Sequence, residues 1–367
     1  LADFEAKYPN IKVKFDVIQD QYMDVMKTRL VGGEAGDVFF LDSSEAPGLI
    51  QQGILEPLNP YVTDDFDVAD FEEPLLNAFK QGDTYYGFPK DYSTLGLFYN
   101  KKMFAEAGIK EPPKTWDELR AVSKQLTKDT NGDGKIDQYG LGVAPELARQ
   151  YFMVLAYGGK VVDENHMAAF ATPEGIQGLQ LVIDQYRKDK TSVQPSDVGG
   201  TWGGDMFGQG KVAMVIEGPW AIPYLQDTFK DLDFGIAEVP TVNGKNQTMA
   251  YTVAYVMNAA SQHKKEAWAL ISYLTGKEGM KTWTSLGIAL PTRKSVAAEL
   301  GLDKDPLRAP LVAGARYAIP WQAGPYLPTI MNNFNNQFVS AFLGQQDLAS
   351  AMKKAQETAN KEIEAAK

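Results

Sequence analysis

"DVFFLDSSEAPGLIQQG", residues 37–53, changes character halfway along. Its apolar run, Val38 to Leu41, is too short for a buried helix and is bounded by Gly36-Asp37 and Asp42-Ser43, so it reads as a strand over 37–41. A helix over 44–52 follows, stopped by Gly53. Upstream, Ile11, Val13 and Phe15 alternate as a strand over 11–17, and a helix over 20–31 ends at Gly32-Gly33. Strand and helix in alternation are the rhythm of α/β layers, and this rhythm predicts a largely parallel sheet.

The same reading continues downstream. Gly82 to Phe88 reads as a hairpin and "LGLFYN" (95–100) as a strand. "KTWDELRAVSKQLT" (114–127) is a helix with Thr115 as N-cap and Glu118 completing a capping box. Helices are expected over 145–157, 173–189, 204–209, 219–228 and 264–276, strands over 211–216, 233–238 and 251–258, and a helical last third behind Pro320, Pro325 and Pro328. No internal repeat or flexible Gly/Ser linker interrupts the chain. Its 367 residues exceed one comfortable core, so two lobes joined by strands are expected.

Composition removes several classes of function. A net charge of -11 with no Lys/Arg block argues against a nucleic-acid partner. The chain has no Cys and only two His, His166 and His263, which excludes thiolate chemistry and makes a histidine metal centre improbable. Nucleophile-elbow, P-loop, dinucleotide and H-E-x-x-H motifs are missing, although 47 acidic residues leave room for a paired-carboxylate glycoside hydrolase. No apolar window is long enough to span a membrane, and residue 1 is not Met, so the chain reads as a mature or trimmed form.

"DTNGDGKIDQYG" (129–140) places Asp129, Asn131 and Asp133 at the first, third and fifth positions of a calcium loop, then Gly134, the Lys135 carbonyl and Asp137 at the ninth. Gly140 stands where a bidentate Glu would close the shell. A structural Ca2+ pinning this connection is the expectation, with a metal-free Asx-rich turn as the other reading.

Aromatic residues beside polar breaks supply the binding candidates: Tyr92, Tyr151, Trp202, Trp220, Trp283, Trp321 and Tyr326, whereas Trp116 and Trp268 sit in helical runs and read as core. Trp202 and Trp220 stand out because Gly203-Gly204 and Gly218-Pro219 flank them. An exposed indole offers a flat apolar platform to the C–H face of a sugar, whose hydroxyls then need polar partners around the rim. Asp42, Ser44, Glu45, Asp91, Arg149 and Glu217 are rim candidates near predicted strand ends.

Six stretches, "GDVFFLDSSEAPGLIQQGILEPL", "YYGFPKDYSTLGLFYNKKMFAEAGI", "PPKTWDEL", "GQGKVAMVIEGPWAIPYL", "KKEAWALISYLTGKEG" and "LGIALPTR", occur in the order seen in sugar-type solute-binding proteins of ABC importers. Over nearly its whole length the chain resembles that family, which includes the maltose-binding protein. The resemblance implies a two-lobed α/β periplasmic-binding-protein fold with hinge strands and a sugar in an interlobe cleft. It puts residues 1–90 plus 248–298 in the first lobe, which is expected to lack the family's N-terminal strand, and 91–247 plus 299–367 in the second.

By motif position, Trp220 of "EGPW" and Tyr326 correspond to stacking aromatics, and Tyr151 to a sugar-contacting Tyr. Asp91 falls where relatives carry a hydroxyl-binding acid. Leu41, Ser44, Glu45 and Arg149 depart from the maltodextrin pattern. The implied function is capture of a small neutral sugar, a disaccharide or glucoside, by a monomer with no cofactor, and its delivery to ABC permease subunits. The implied location is periplasmic or extracellular, with a lipid anchor on a segment ahead of residue 1. A non-sugar or glycosylated compatible solute is the alternative ligand, and a secreted glycoside hydrolase the alternative class.

Overall fold

The apolar run of residues 38–41 becomes the strand Val38–Asp42, and it is apolar on both faces because both faces are covered. Phe39 and Leu41 pack with Met26, Leu49, Leu55 and Phe79. Phe40 turns the other way against Tyr255, ring centroids 5.2 Å apart, toward a cluster containing Phe66, Phe71, Phe88 and Met280. The helix that follows is Ala46–Gln51, and Gly53 takes the positive φ of +70° that ends it.

This computed structural model describes residues Leu1–Lys367. The chain forms two units, Leu1–Tyr92 with Thr252–Leu300 and Ser93–Tyr251 with Gly301–Lys367. Two of the three crossings lie inside strands, Gly87–Thr94 and Met249–Met257.

In the first unit Val38–Asp42 runs antiparallel to Met249–Met257, with Phe40 opposite Tyr255 and Asp42 opposite Val253. A buried guanidinium ties its loops together. Arg293, 1% exposed, donates to the carbonyls of Thr275 (2.6 Å), Phe66 (2.6 Å) and Asp67 (3.0 Å), pairs with Asp70 at 3.4 Å, and lies 4.2 Å over the Phe71 ring. Residues 66–71 are thereby fastened to the segment carrying Arg293.

The second unit is built on a five-stranded sheet in the order Ser192–Val193, Tyr139–Gly142, Val212–Glu217, Gly96–Asn100, Phe234–Ala237. Trp116–Leu126 is capped by Thr115, whose Oγ1 accepts the Glu118 N–H at 3.1 Å. The Glu118 carboxylate accepts the Lys114 N–H rather than that of Thr115, so the expected capping box is only half formed. The last two helices, Leu327–Phe342 and Leu348–Ala366, pack together, the second through Leu348, Ala351, Met352, Ala355, Ala359 and Ile363, an i, i+3, i+4, i+7 stripe.

Three expectations are corrected. The sheets are mixed rather than largely parallel: Gly96–Asn100 runs antiparallel to both neighbours, whereas Tyr139–Gly142 is parallel to both of its own. Parallel neighbours require a crossover connection, and Met249–Met257, which contains a crossing between the units, and Gly96–Asn100, the first strand after one, are not bound by that requirement. Residues 11–17 form no strand, because alternation makes a face but only pairing makes a strand, and Phe15 and Val17 stand 63% and 60% exposed.

The third correction concerns 129–137, where no three carboxylates gather. Asp129 accepts the N–H groups of Asn131, Gly132 and Gly134, Asp133 accepts that of Lys135, and Asp137 accepts both the N–H and the hydroxyl of Thr130. The carboxylates close the turn upon itself by hydrogen bonds and are not gathered into the calcium shell the spacing suggested.

Candidate functional site

Glycines decide where the aromatic side chains of the second unit can lie. A Cβ on Gly218 would fall 2.3 Å from the Trp220 ring, one on Gly204 2.3 Å from Trp202, and one on Gly203 2.4 Å from Glu217 Oε1. The indoles and the carboxylate therefore lie directly against bare backbone, as only Gly permits. Trp220 stands at the start of the helix Ala221–Thr228, just after the strand Val212–Glu217 has delivered Glu217 at its end.

Glu217 accepts the Trp220 indole N–H at 3.1 Å and pairs with Arg149 at 3.4 Å. Arg149, from the helix Leu147–Leu155, also donates to the Tyr251 hydroxyl at 3.1 Å, and its guanidinium lies 5.4 Å over the Trp220 ring and 5.8 Å over that of Tyr251. Trp220 and Tyr251 meet edge to face at 6.0 Å. Burial pushes the Glu217 carboxyl above its ordinary range, against the pull of Arg149 and of the Trp220 N–H. Burial also pushes the Tyr251 hydroxyl up to about 12, so it stays protonated and donates to the Ala148 carbonyl. Behind the pair lies a cavity of about 30 Å³, lined by Arg149, Gln150, Gln185, Gly203 and Glu217, with room for a water and not for a sugar.

The other candidates of this unit have contacts of their own. Tyr151 is buried, donates to the Gln322 carbonyl at 2.8 Å, and meets Trp321 edge to face at 6.1 Å. Trp202 packs on Tyr224 at 4.9 Å. Tyr326 precedes the helix Leu327–Phe342 and packs, half-buried, on the same core as Trp220 and Trp321. Tyr251, which joins Arg149 to Trp220, escaped the sequence reading because it sits inside an apolar strand run with no break beside it.

In the first unit Asp42 ends its strand by accepting the Ser44 N–H (2.9 Å) and hydroxyl (2.7 Å) on Oδ1, while burial pushes its carboxyl up. Glu45, at the start of Ala46–Gln51, pairs with Lys27 at 3.0 Å. Thr252 brings the two ends together, donating its hydroxyl to the Asp91 carbonyl at 2.8 Å and accepting the Ser43 N–H at 2.9 Å. Asp91 Oδ2 takes both Lys90 Nζ at 2.5 Å and the Trp283 indole N–H at 2.7 Å. Tyr92 is 1% exposed, its N–H and carbonyl bonded to Leu290.

The Bacillus subtilis (strain 168) galactooligosaccharide-binding protein is 25% identical over 381 residues, covering all of this chain and 86% of that one. A solute-binding protein of Thermotoga lettingae, solved with α-D-tagatose, is 29% identical over 98% of this chain and 93% of its own, with a TM-score of 0.76. The sugar-binding protein MalE of Xanthomonas citri is 23% identical, covers 100% and 93%, and shares the fold at a TM-score of 0.88. These are two-lobed α/β binding proteins rather than enzymes. The model of the bacterial extracellular solute-binding proteins matches residues 1–281, and this chain belongs to that family.

Proposed function

We propose that the protein captures a small neutral sugar, a disaccharide or glucoside, and delivers it to the permease subunits of an ABC importer. The carrying observation is charge cancellation beside a held aromatic: Arg149 and Glu217 neutralise one another, and together they fix the Trp220 indole. A charged solute would meet no net counter-charge there, whereas a sugar would find an apolar ring with polar groups at its edge. Relatives named for maltotriose, galactooligosaccharide and maltooligosaccharide binding support the same ligand class. Binding would draw on stacking and on hydrogen bonds that lose their water.

Delivery to a permease places the protein outside the cytoplasmic membrane, in a periplasm or at the cell surface. One relative is named a lipoprotein, and a lipid anchor ahead of residue 1 is part of this reading. No helix is long and apolar enough to cross a membrane. The reading includes no calcium: the 129–137 turn is closed by its own hydrogen bonds. Isothermal titration against maltose, maltotriose, galactobiose and a charged uronic-acid disaccharide tests the proposal. Stoichiometric binding of a neutral sugar supports it, and binding of the uronic acid alone would overturn it.

A further inference from the structure

Of the six tryptophans only Trp283 is exposed, at 48%, and it is nevertheless held fast. It lies in the last turn of the helix Lys277–Thr284, whose buried residues are Met280 and Thr284. Its indole N–H donates to Asp91 Oδ2 at 2.7 Å, and Lys90 Nζ sits 4.3 Å over its ring. The two residues that hold it are themselves sheltered, Lys90 with 9% and Asp91 with 14% of the side chain exposed, and they pair at 2.5 Å. A surface tryptophan with no task gains little from such a mount, because ordering a side chain costs entropy that an exposed ring does not recover by burial.

We propose that Trp283 is a saccharide-stacking platform of the first unit, with Asp91 as its hydroxyl acceptor and Lys90 as the residue that positions both. This rests on the reading of the protein as a sugar-binding protein and adds to it a binding residue beyond Trp220. Three observations fit one occupant, a neutral hexose ring. The indole is oriented before any ligand arrives, which removes the ordering cost from binding. Lys90 and Asp91 cancel in charge, so the mount offers polarity without selecting an ion. Both bonds to Asp91 fall on Oδ2, which leaves Oδ1 without a partner in the protein and able to accept a sugar hydroxyl beside the ring. Trp283 is mounted on the strand Gly87–Thr94, inside which the chain leaves the first unit, the same strand that carries Asp91.

The test compares wild type, Trp283→Ala and Trp283→Phe by isothermal titration with maltose, maltotriose and galactobiose, with thermal melts as the folding control. The proposal expects the Ala variant to lose tenfold or more in affinity for whichever sugar the wild type binds, and the Phe variant to recover most of it. A loss below tenfold in a normally melting Ala variant overturns the platform while leaving sugar binding intact. Wild type that binds none of the three sugars overturns both. Should the Ala variant fail to fold, oxidation of Trp283 by N-bromosuccinimide in the wild type decides, read by peptide mass spectrometry. Protection by bound sugar supports the platform, and unchanged oxidation overturns it.

Discussion

Single side chains here act through partners distant in sequence. Sequence alone marked Trp220 by its flanking glycine and proline, but Glu217, which holds its N–H, and Arg149, which covers its face, become a unit with it only in the fold. Trp220→Ala is expected to weaken sugar affinity by about 2 kcal/mol or more, the range of aromatic hot spots. Titration calorimetry checks this, and unchanged affinity would remove Trp220 from the site. Asp70 makes the corresponding case for stability. Burial pushes its carboxyl up, but the Ser295 hydroxyl and N–H together with Arg293 outweigh it, so the net shift is downward. A folded value below the unfolded one means that the stabilisation is complete above the unfolded value, about 4, and is lost as pH falls through the folded value. Asp70→Asn removes the carboxylate paired with buried Arg293 and leaves only the charge of Asp67 acting on it, which is expected to cost about 3 kcal/mol at neutral pH. In urea melts the deficit should shrink toward acid pH, and a constant deficit would refute the pairing.

At the level of elements the sequence was most legible where local chemistry closes an element by itself. Gly33 and Gly53 end helices in the left-handed conformation, and Thr115 caps its helix, as the residues foretold. Local pattern failed where an element needs a distant partner or a ligand. Ile11 to Val17 alternate but pair with no other strand, and Asp129, Asn131, Asp133 and Asp137 have calcium spacing but accept hydrogen bonds from their own loop. This geometry makes a prediction opposite to the motif. EDTA should leave the melting curve unchanged, whereas Asp129→Ala, which strands three N–H groups at an exposed turn, should destabilise by about 1 kcal/mol. A drop in melting temperature on chelation would return the loop to calcium.

For the whole molecule, a ligand that binds only the folded protein must stabilise it by mass action. At a free concentration one hundred times Kd, a neutral sugar should add about 2.7 kcal/mol, visible as a rise in melting temperature in a thermal-shift screen. A panel of neutral sugars that moves nothing would count against capture. Apolar rhythm and turn residues were enough to indicate an α/β chain, because periodicity and turn chemistry act over a few residues and survive in any one sequence, whereas the binding-protein type rested on the resemblance carried by six ordered stretches. Tertiary structure alone decided the mixed strand directions, the Arg149–Glu217–Trp220–Tyr251 cluster and the mounting of Trp283 on Asp91. Trp283 and Asp91 stand 192 residues apart and Arg149 and Glu217 68, and pairings over such distances are set by how sheets and helices pack, which leaves no local trace in the chain.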